Sequence, residues 1–182
     1  MKKIKKLGEE TYEKHGLETI RDLSAYRQDN WHGQYDRMLR WAERFRAISQ
    51  QEIQIPNKSH TYFDTMYACF QNLFFLKDWI IKNSDLPNDD LNNFINNNEE
   101  IGICRDICNG TKHYNISHPS VDENFGIIHQ YLPYHKVWNV APYEIIICAG
   151  GKIYKPIELI EKCINIWDTF IYENLNLTGS VN

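Results

Sequence analysis

Residues 60–83 read HTYFDTMYACFQNLFFLKDWIIKN and form the most hydrophobic long segment of the chain. Only short polar stretches interrupt its apolar residues. Asp64, Gln71 and Asp78 recur every seven residues and therefore share one stripe of a helix. A helix that is apolar on most sides is typical of the centre of a bundle. We therefore predict that this segment is the central helix of a helical domain.

A second helix is predicted just before the central one, over residues 31–49. Pro56 lies between the two and favours a break, because proline cannot continue a regular helix. The positions expected to face the core recur at steps of three and four residues, the spacing of an amphipathic helix; they are Trp31, Tyr35, Met38, Ala42, Phe45 and Ser49. Residues 1–16 are charged and aperiodic, and we expect them to form a loose tail.

Two shorter helices are predicted after the central one. Residues 89–100 are rich in asparagine and favour a short helix that breaks around residues 96–98. Residues 99–114 favour the next helix. Residues 115–124, which include Pro119, favour a loop.

A small β element is predicted next. Residues 143–149 are short and rich in β-branched side chains, Gly150 and Gly151 follow, and Lys152–Tyr154 resume an extended pattern. Two glycines between such runs are typical of a two-residue hairpin, because both turn positions accept a positive φ. Residues 126–132 favour a further strand.

The last predicted helix begins at Pro156, a residue suited to a first helical turn, and has an apolar face from Ile160 to Ile171. The predicted fold is therefore mainly α. It is an antiparallel bundle of about four to five helices with a small β-hairpin insert, residues 125–155, before the C-terminal helix. A chain of 182 residues fits one such domain, and we assign residues 1–182 to it.

Composition narrows the class of protein. Apolar residues make up 42% of the chain, enough for a sizeable core, and the net charge of −4 argues against a constitutive nucleic-acid binder. No apolar run reaches the roughly 18 residues that span a bilayer, so we expect a cytoplasmic protein without a membrane partner. The five cysteines are expected to be reduced thiols in the core, and no cysteine or histidine spacing indicates a metal or other cofactor.

Five polar side chains gather on one side of the helix predicted over residues 99–114. At about 100° per residue they occupy an arc of about a third of the helical wheel; they are Arg105, Asp106, Asn109, Lys112 and His113. Cys104 and Ile107 fall on the opposite side. One face is therefore able to pack against the bundle while the other presents these polar groups.

This mixture of side chains suits the chemistry of a phosphodiester. Histidine moves protons near neutral pH, so His113 is the candidate general acid or base. Arg105 and Lys112 are candidates to bind phosphate and to stabilise charge on its oxygens. Asn109 and Asp106 are candidates to orient the reacting groups. In RNA the neighbouring 2′-hydroxyl is the nucleophile, so cleavage requires no metal and leaves a 2′,3′-cyclic phosphate.

A purely structural interpretation stands beside the catalytic one. Lys112 and His113 lie near the predicted C-terminus of their helix, where cations interact favourably with the helix dipole and bind free carbonyl groups. Arg105 and Asp106 are compatible with an ordinary surface ion-pair network. Residue types alone leave both interpretations open.

The segment RDICNGTKH, residues 105–113, follows an aromatic helix whose end reads LKDWI, residues 76–80. This arrangement resembles the HEPN superfamily of helical bundles, and small bacterial proteins of that general type with a DW…DxxNxxKH pattern. The resemblance implies a metal-independent ribonuclease, often a dimeric toxin or defence protein. Arg105 and Asp106 match the first part of the family motif, and His113 matches the last.

The spacing within this motif is longer than usual in the family. Seven residues separate Arg105 from His113, which places them about 12 Å apart along a helix axis. A single active site is able to use both residues if a second subunit contributes one of them. The hypothesis that follows from the resemblance is accordingly a homodimer in which these helices face each other.

Two further sets of residues are candidates for substrate binding. Arg37, Arg40 and Arg44 lie on the helix side opposite its apolar stripe and are able to follow a phosphate backbone. Asp36 and Glu43 interleave with them, which also fits an ordinary solvated face. Asp78 is placed to orient His113 or to pair with Arg105, or it is simply the polar end of a buried helix.

Two functional hypotheses follow from the sequence. The first is a HEPN-like, metal-independent endoribonuclease that acts on RNA, with a possible role as a toxin or antiphage effector. The second is a non-catalytic helical interaction protein that binds a protein partner, such as an antitoxin, an immunity or inhibitor protein, or an accessory subunit.

Overall fold

The computed structural model describes residues 30–50, 58–113, 119–121, 123–131 and 143–175. The described residues from Trp31 onward belong to one compact unit, to which the following description applies. Its described elements are, in chain order, α1 (Trp31–Gln50), α2 (Lys58–Asn83), α3 (Asn88–Asn97), α4 (Glu99–His113), β1 (Gly126–Tyr131), β2 (Tyr143–Ala149), β3 (Lys152–Tyr154) and α5 (Pro156–Asn174). The prediction of a mainly helical fold with a small β insert before the C-terminal helix is confirmed.

The long helix α2 is the centre of the unit, as its sequence predicts. It packs against α1, α3, α4 and α5. Six of its side chains are completely buried, namely Met66, Cys69, Phe70, Leu73, Leu76 and Ile80. Each large apolar side chain removed from water in this way stabilises the fold by about 1.5–3 kcal/mol, so this one helix supplies much of the hydrophobic driving force.

The closing helix α5 completes the core with an aromatic cluster. Trp167 is completely buried, and its ring centroid lies 5.0 Å from that of Phe94 on α3 and 5.8 Å from that of Phe170. The rings of Phe94 and Phe170 are 4.1 Å apart. The short helix α3 is thus held to α5 by ring packing.

The break between α3 and α4 falls at Asn98, within the asparagine-rich stretch where the sequence predicts it. Asn98 is in an extended conformation and donates its N–H to the carbonyl of Ile95 at the end of α3. Its own carbonyl accepts the N–H of Gly102 at 3.0 Å. One residue therefore ends the first helix and begins the second.

The β insert is a three-stranded antiparallel sheet in the order β1-β2-β3. The predicted two-residue hairpin joins β2 to β3, and Gly150 and Gly151 both have positive φ, at 57° and 68°. Ile145, Ile147 and Ala149 of β2 are buried, and this strand contacts α5. The sheet is therefore part of the packed unit.

Some predictions fall on residues that the structure does not describe. The predicted loose tail, residues 1–16, lies wholly outside the described residues, and the predicted loop of residues 115–124 lies partly outside them. No helix in the described part of the chain is long and apolar enough to cross a membrane.

Candidate functional site

Helix α4 is amphipathic in the way that its sequence predicts. Its buried side includes Ile101, Cys104 and Ile107, which face the bundle. Acidic residues occupy its first turn, and Lys112 and His113 occupy its last turn. This charge order matches the helix dipole, which favours anions at the N-terminus and cations at the C-terminus.

The structure divides the five polar residues of the predicted arc into two groups. Asp106 is completely buried and Arg105 is half-buried, whereas Asn109, Lys112 and His113 are exposed. The two groups also differ in their contacts, so they are described separately below.

Asp106 is held by Ser120, which lies in the segment after α4. The backbone N–H of Ser120 donates to Asp106 Oδ2 at 2.6 Å, and the hydroxyl of Ser120 donates to Asp106 Oδ1. A buried carboxylate requires such partners, because an unpaired buried charge is strongly unfavourable. Asp106 therefore fixes the path of the chain at residues 119–121 against α4.

Arg105 is joined to the same segment and to α3. Its Nε donates to Ser120 Oγ at 2.7 Å, and its Nη1 donates to Asn96 Oδ1 at 3.1 Å. Ser120 Oγ thus accepts from Arg105 while it donates to Asp106. Among the described residues, no hydrogen bond involves Nη2 of Arg105, so part of its planar donor fork remains available to a ligand.

The remaining three residues present their side chains to solvent on the last turns of α4. Among the described residues, the side chains of Asn109, Lys112 and His113 have no hydrogen-bond or ion-pair partner. A histidine that caps a helix donates to a free carbonyl group at the helix end. His113 makes no such bond to a described residue. These side chains are therefore accessible to a ligand in the described structure.

A pocket of about 260 Å³ adjoins this end of α4. Its lining comes from α2, α4 and the start of β1; the lining residues are Tyr67, Ile107, Gly110, Thr111, Phe125 and Ile127. Gly110 and Thr111 lie between the exposed Asn109 and Lys112 in the chain. The pocket and the exposed side chains consequently share the same turns of one helix.

Polar groups stand beside the mostly apolar lining of this pocket. Thr111 Oγ1 donates to the carbonyl of Cys108 at 2.8 Å, and Gln71 Nε2 donates to Thr111 Oγ1 at 3.4 Å. Burial raises the pKa of the Tyr67 hydroxyl above its ordinary value, so this group stays protonated near neutral pH. It is thus a hydrogen-bond donor at neutral pH.

The arginines predicted to follow a phosphate backbone do not form one uniform row. Arg40 and Arg44 are exposed, and the Arg44 guanidinium lies 4.8 Å from the ring centre of Trp41. Arg37 is half-buried, donates to Gln34 Oε1 at 2.7 Å and lies 5.5 Å from the ring centre of Trp79. Arg37 is therefore the least exposed of the three, whereas Arg40 and Arg44 remain on the solvent side of α1.

Asp78 lies next to Lys77 in space as well as in sequence. Its Oδ1 forms an exposed ion pair with Lys77 Nζ at 3.3 Å. Seven residues before it on α2, Gln71 already contacts Thr111 near the end of α4. This separation is about 10 Å along the helix. Among the described residues, no hydrogen bond or ion pair joins Asp78 to Arg105 or His113.

Sequence reasoning missed the residues that hold Arg105 and Asp106. Ser120 lies 15 residues from Arg105, within the predicted loop of residues 115–124. Asn96 lies 9 residues from Arg105, within the predicted helix break. The available signal was Pro119-Ser120, since serine in a turn commonly bonds to nearby polar groups. The sequence alone does not predict which distant residue such a serine binds.

Four of the five cysteines lie in the core, as predicted; they are Cys69, Cys104, Cys108 and Cys163. Cys104 Sγ donates to the carbonyl of Phe70 at 3.1 Å, and burial together with the neighbouring thiols raises its pKa well above its ordinary value. Among the described residues, no group of three or more cysteine, histidine or acidic side chains is arranged to hold a metal ion.

Comparison with protein-family models, curated proteins and solved structures finds no match to this chain. The case for a function therefore rests on the side chains of α4 and on their surroundings.

Proposed function

We propose that the chain is a metal-independent endoribonuclease of HEPN type, with its active site at the C-terminal turns of α4. The observation that carries the proposal is the exposure of Asn109, Lys112 and His113 together on those turns, without a partner among the described residues. Side chains of these types, accessible beside a pocket, are suited to phosphodiester cleavage.

The proposed reaction is attack by a ribose 2′-hydroxyl on the adjacent phosphorus. A base removes the proton of the 2′-hydroxyl, the O2′–P bond forms, and the P–O5′ bond breaks. The leaving 5′-oxygen takes up a proton from an acid. The products are a 2′,3′-cyclic phosphate and a 5′-hydroxyl end. His113 performs one of the two proton transfers, because an imidazole gains or loses a proton near neutral pH.

The other exposed residues support the phosphate in this scheme. Lys112 binds a non-bridging oxygen and offsets the negative charge that accumulates there. Asn109 lies one helical turn before His113 and orients the ribose or the phosphate by hydrogen bonds from its amide. Asp106 takes no direct part, because it is buried and already accepts two hydrogen bonds from Ser120. Its role is to position the residues around it.

Arg105 enters the scheme through a second copy of the chain. It lies about 12 Å from His113 along the axis of α4, which is too far for both to contact one phosphate group. A two-fold arrangement with facing α4 helices brings Arg105 of one copy towards His113 of the other. The available Nη2 of Arg105 then binds the phosphate, so we expect the active form to be a homodimer.

A direct experiment is to incubate the purified chain with total RNA in the presence of EDTA. Cleavage that persists in EDTA and leaves 2′,3′-cyclic phosphate ends supports the proposal. A requirement for divalent metal, or 3′-hydroxyl ends, contradicts it.

The tethering of Arg105 and Asp106 favours a second candidate function. Both side chains form hydrogen bonds with Ser120, and Arg105 also donates to Asn96. Such bonds are expected where two residues stabilise the bundle and take no part in catalysis. The sheet also exposes Ile128 and Ile153, which are apolar side chains available to a partner. In this alternative the chain is a non-catalytic interaction protein, such as an antitoxin, an immunity protein or an accessory subunit. A stable host protein complex without RNA cleavage identifies it.

A further inference from the structure

The pocket beside the end of α4 has walls of two kinds. Tyr67 of α2 and Phe125, just before β1, supply aromatic rings, while Ile107 and Ile127 supply aliphatic surface. Gly110 has no side chain, so the wall it forms is backbone. The pocket has a volume of about 260 Å³ and is open to solvent, which suits a flat, largely apolar group entering from outside.

We propose that this pocket binds one unpaired nucleobase of a single-stranded RNA whose backbone passes over the end of α4. The inference rests on the proposed function, because it identifies the substrate of the same site as unpaired RNA. It also assigns a role to the first strand of the β insert, which the helical motif leaves unexplained.

Aromatic rings are the usual platforms for unpaired bases. A base stacks on the face of a tyrosine or phenylalanine with little dependence on its identity, since every base has a π-face. In a double helix the bases are stacked on each other and their faces are not accessible, so a pocket of this kind selects single strands, loops or bulges. Tyr67 and Phe125 provide such rings from two different elements.

Polar groups at the same pocket are suited to the edge of a base. Nucleobases carry amide and amine groups that accept and donate hydrogen bonds. Thr111 lines the pocket, and the Gln71 amide, whose Nε2 lies 3.4 Å from Thr111 Oγ1, lies beside it. A wholly apolar ligand, such as a leucine side chain of a protein partner, makes no use of these groups.

The charges next to the pocket fit the backbone that a nucleobase brings with it. Lys112 follows Thr111 in the chain, and His113 lies three residues after Gly110, on the neighbouring side of the helix. Both side chains are exposed. A base in the pocket therefore leaves its phosphate within reach of a cation and of the proposed proton-transfer group.

The test separates binding from cleavage by using a 2′-O-methyl tetranucleotide, which lacks the attacking hydroxyl and cannot be cleaved. Its affinity for the wild-type chain is compared with that of the same sugar-phosphate tetramer without bases. We expect the base-containing probe to bind at least about tenfold more tightly, as base stacking on an aromatic side chain commonly contributes. Equal affinity of the two probes overturns the inference, and this comparison requires no variant to fold.

Variants of Tyr67 and Lys112 then test which side chains contact the base and the phosphate. Tyr67→Ala is expected to weaken binding of the base-containing probe about tenfold while leaving its salt dependence unchanged. Tyr67→Phe keeps the ring and is expected to bind much more like the wild type. Lys112→Ala is expected to reduce the slope of log affinity against log salt by about one, because it removes one phosphate contact. Tyr67→Ala that folds and binds both probes like the wild type overturns the inference.

The outcomes distinguish this inference from the proposed function. Cleavage of RNA that depends on His113 but not on Tyr67, together with equal binding of the two probes, retains the ribonuclease and rejects the base pocket. Base-dependent binding without any cleavage of ordinary RNA retains the pocket and rejects the ribonuclease.

Discussion

Asp106 of α4 accepts two hydrogen bonds from Ser120, one from the backbone N–H at 2.6 Å and one from the side-chain hydroxyl. The carboxylate is completely buried, so these bonds replace the water that it loses on folding. Ser120 Oγ also accepts from Arg105. The pair therefore ties the segment after α4 to the helix that carries the proposed active site.

Removal of the carboxylate is expected to destabilise the fold more than removal of the hydroxyl. Asp106→Ala removes both hydrogen bonds that tie Ser120 to the buried carboxylate and leaves a cavity in its place, so it should lower the free energy of unfolding by about 3 kcal/mol. Ser120→Ala keeps the N–H bond and should cost about 1 kcal/mol. Urea denaturation measures both. Asp64→Ala, at an exposed aspartate of α2, is the control and should change stability by less than about 0.5 kcal/mol.

The two single variants should also fail to be additive. Because Asp106 and Ser120 are direct partners, a double-mutant cycle is expected to give a coupling energy of about 0.5–3 kcal/mol. Additive effects within error would show that the two residues do not interact in solution.

The glycines of the β2–β3 turn give a second matched pair. Both have positive φ, so alanine at either position is strained by about 1–2 kcal/mol. A Cβ at Gly151 meets nothing within 4 Å, whereas a Cβ at Gly150 collides with the carboxylate of Glu99. Glu99 is held there by Lys152 Nζ at 3.1 Å and Tyr154 Oη at 3.1 Å. Gly150→Ala should therefore have the lower thermal transition of the two variants, and equal transitions would contradict this account.

One cysteine thiol should react rapidly with a thiol reagent, and the others should react slowly. Among the described cysteines, Cys148 alone is half-buried, on β2, and the other four lie in the core. Burial raises the pKa of Cys69 to about 12, which keeps this thiol in its unreactive protonated form at pH 8. Titration of the native chain with a thiol reagent should give one rapid equivalent that Cys148→Ala removes. Rapid reaction of several thiols would show that the core opens easily.

Stability should fall in alkaline solution as two tyrosines ionise. Burial, followed by hydrogen bonds to Asp168 and Glu99 respectively, raises the pKa of Tyr35 and of Tyr154 from 10.0 to about 12. The folded state therefore holds these protons more tightly than the unfolded state. The resulting stability is fully present below pH 10 and is lost as the pH rises towards 12.

The alkaline loss is measured by urea denaturation between pH 9 and pH 11. Tyr154→Phe removes one of the two ionising groups and should make the loss less steep. An unchanged profile in this variant would contradict the raised pKa of Tyr154, to which burial and the 3.1 Å hydrogen bond to Glu99 both contribute.

The fold was predictable from sequence because local patterns determine most of it. The apolar run of α2, the asparagine break at Asn98 and the Gly150-Gly151 turn each act within a few residues, and each prediction is confirmed. Helical periodicity also placed Arg105, Asp106 and His113 on one helix. The pattern gave no information on what the rest of the chain does to that surface.

The division of this surface depends on contacts between distant parts of the chain. Asp106 falls within the polar arc of the wheel, yet it is buried, because the segment around Ser120 covers that side of α4. The pocket depends on Phe125 and Ile127, which approach α4 only after the chain has folded back. A helical wheel describes one helix alone, so it predicts neither the segment that covers Asp106 nor the pocket.

The most direct test of the central claim is RNA cleavage by the His113→Ala variant in EDTA. Its control is His32→Ala, at an exposed histidine on the first turn of α1. The account predicts that wild type and His32→Ala produce fragments with 2′,3′-cyclic phosphate ends, and that His113→Ala produces none while its thermal transition stays close to that of the wild type. Undiminished cleavage by a folded His113→Ala variant would contradict the catalytic role proposed for α4.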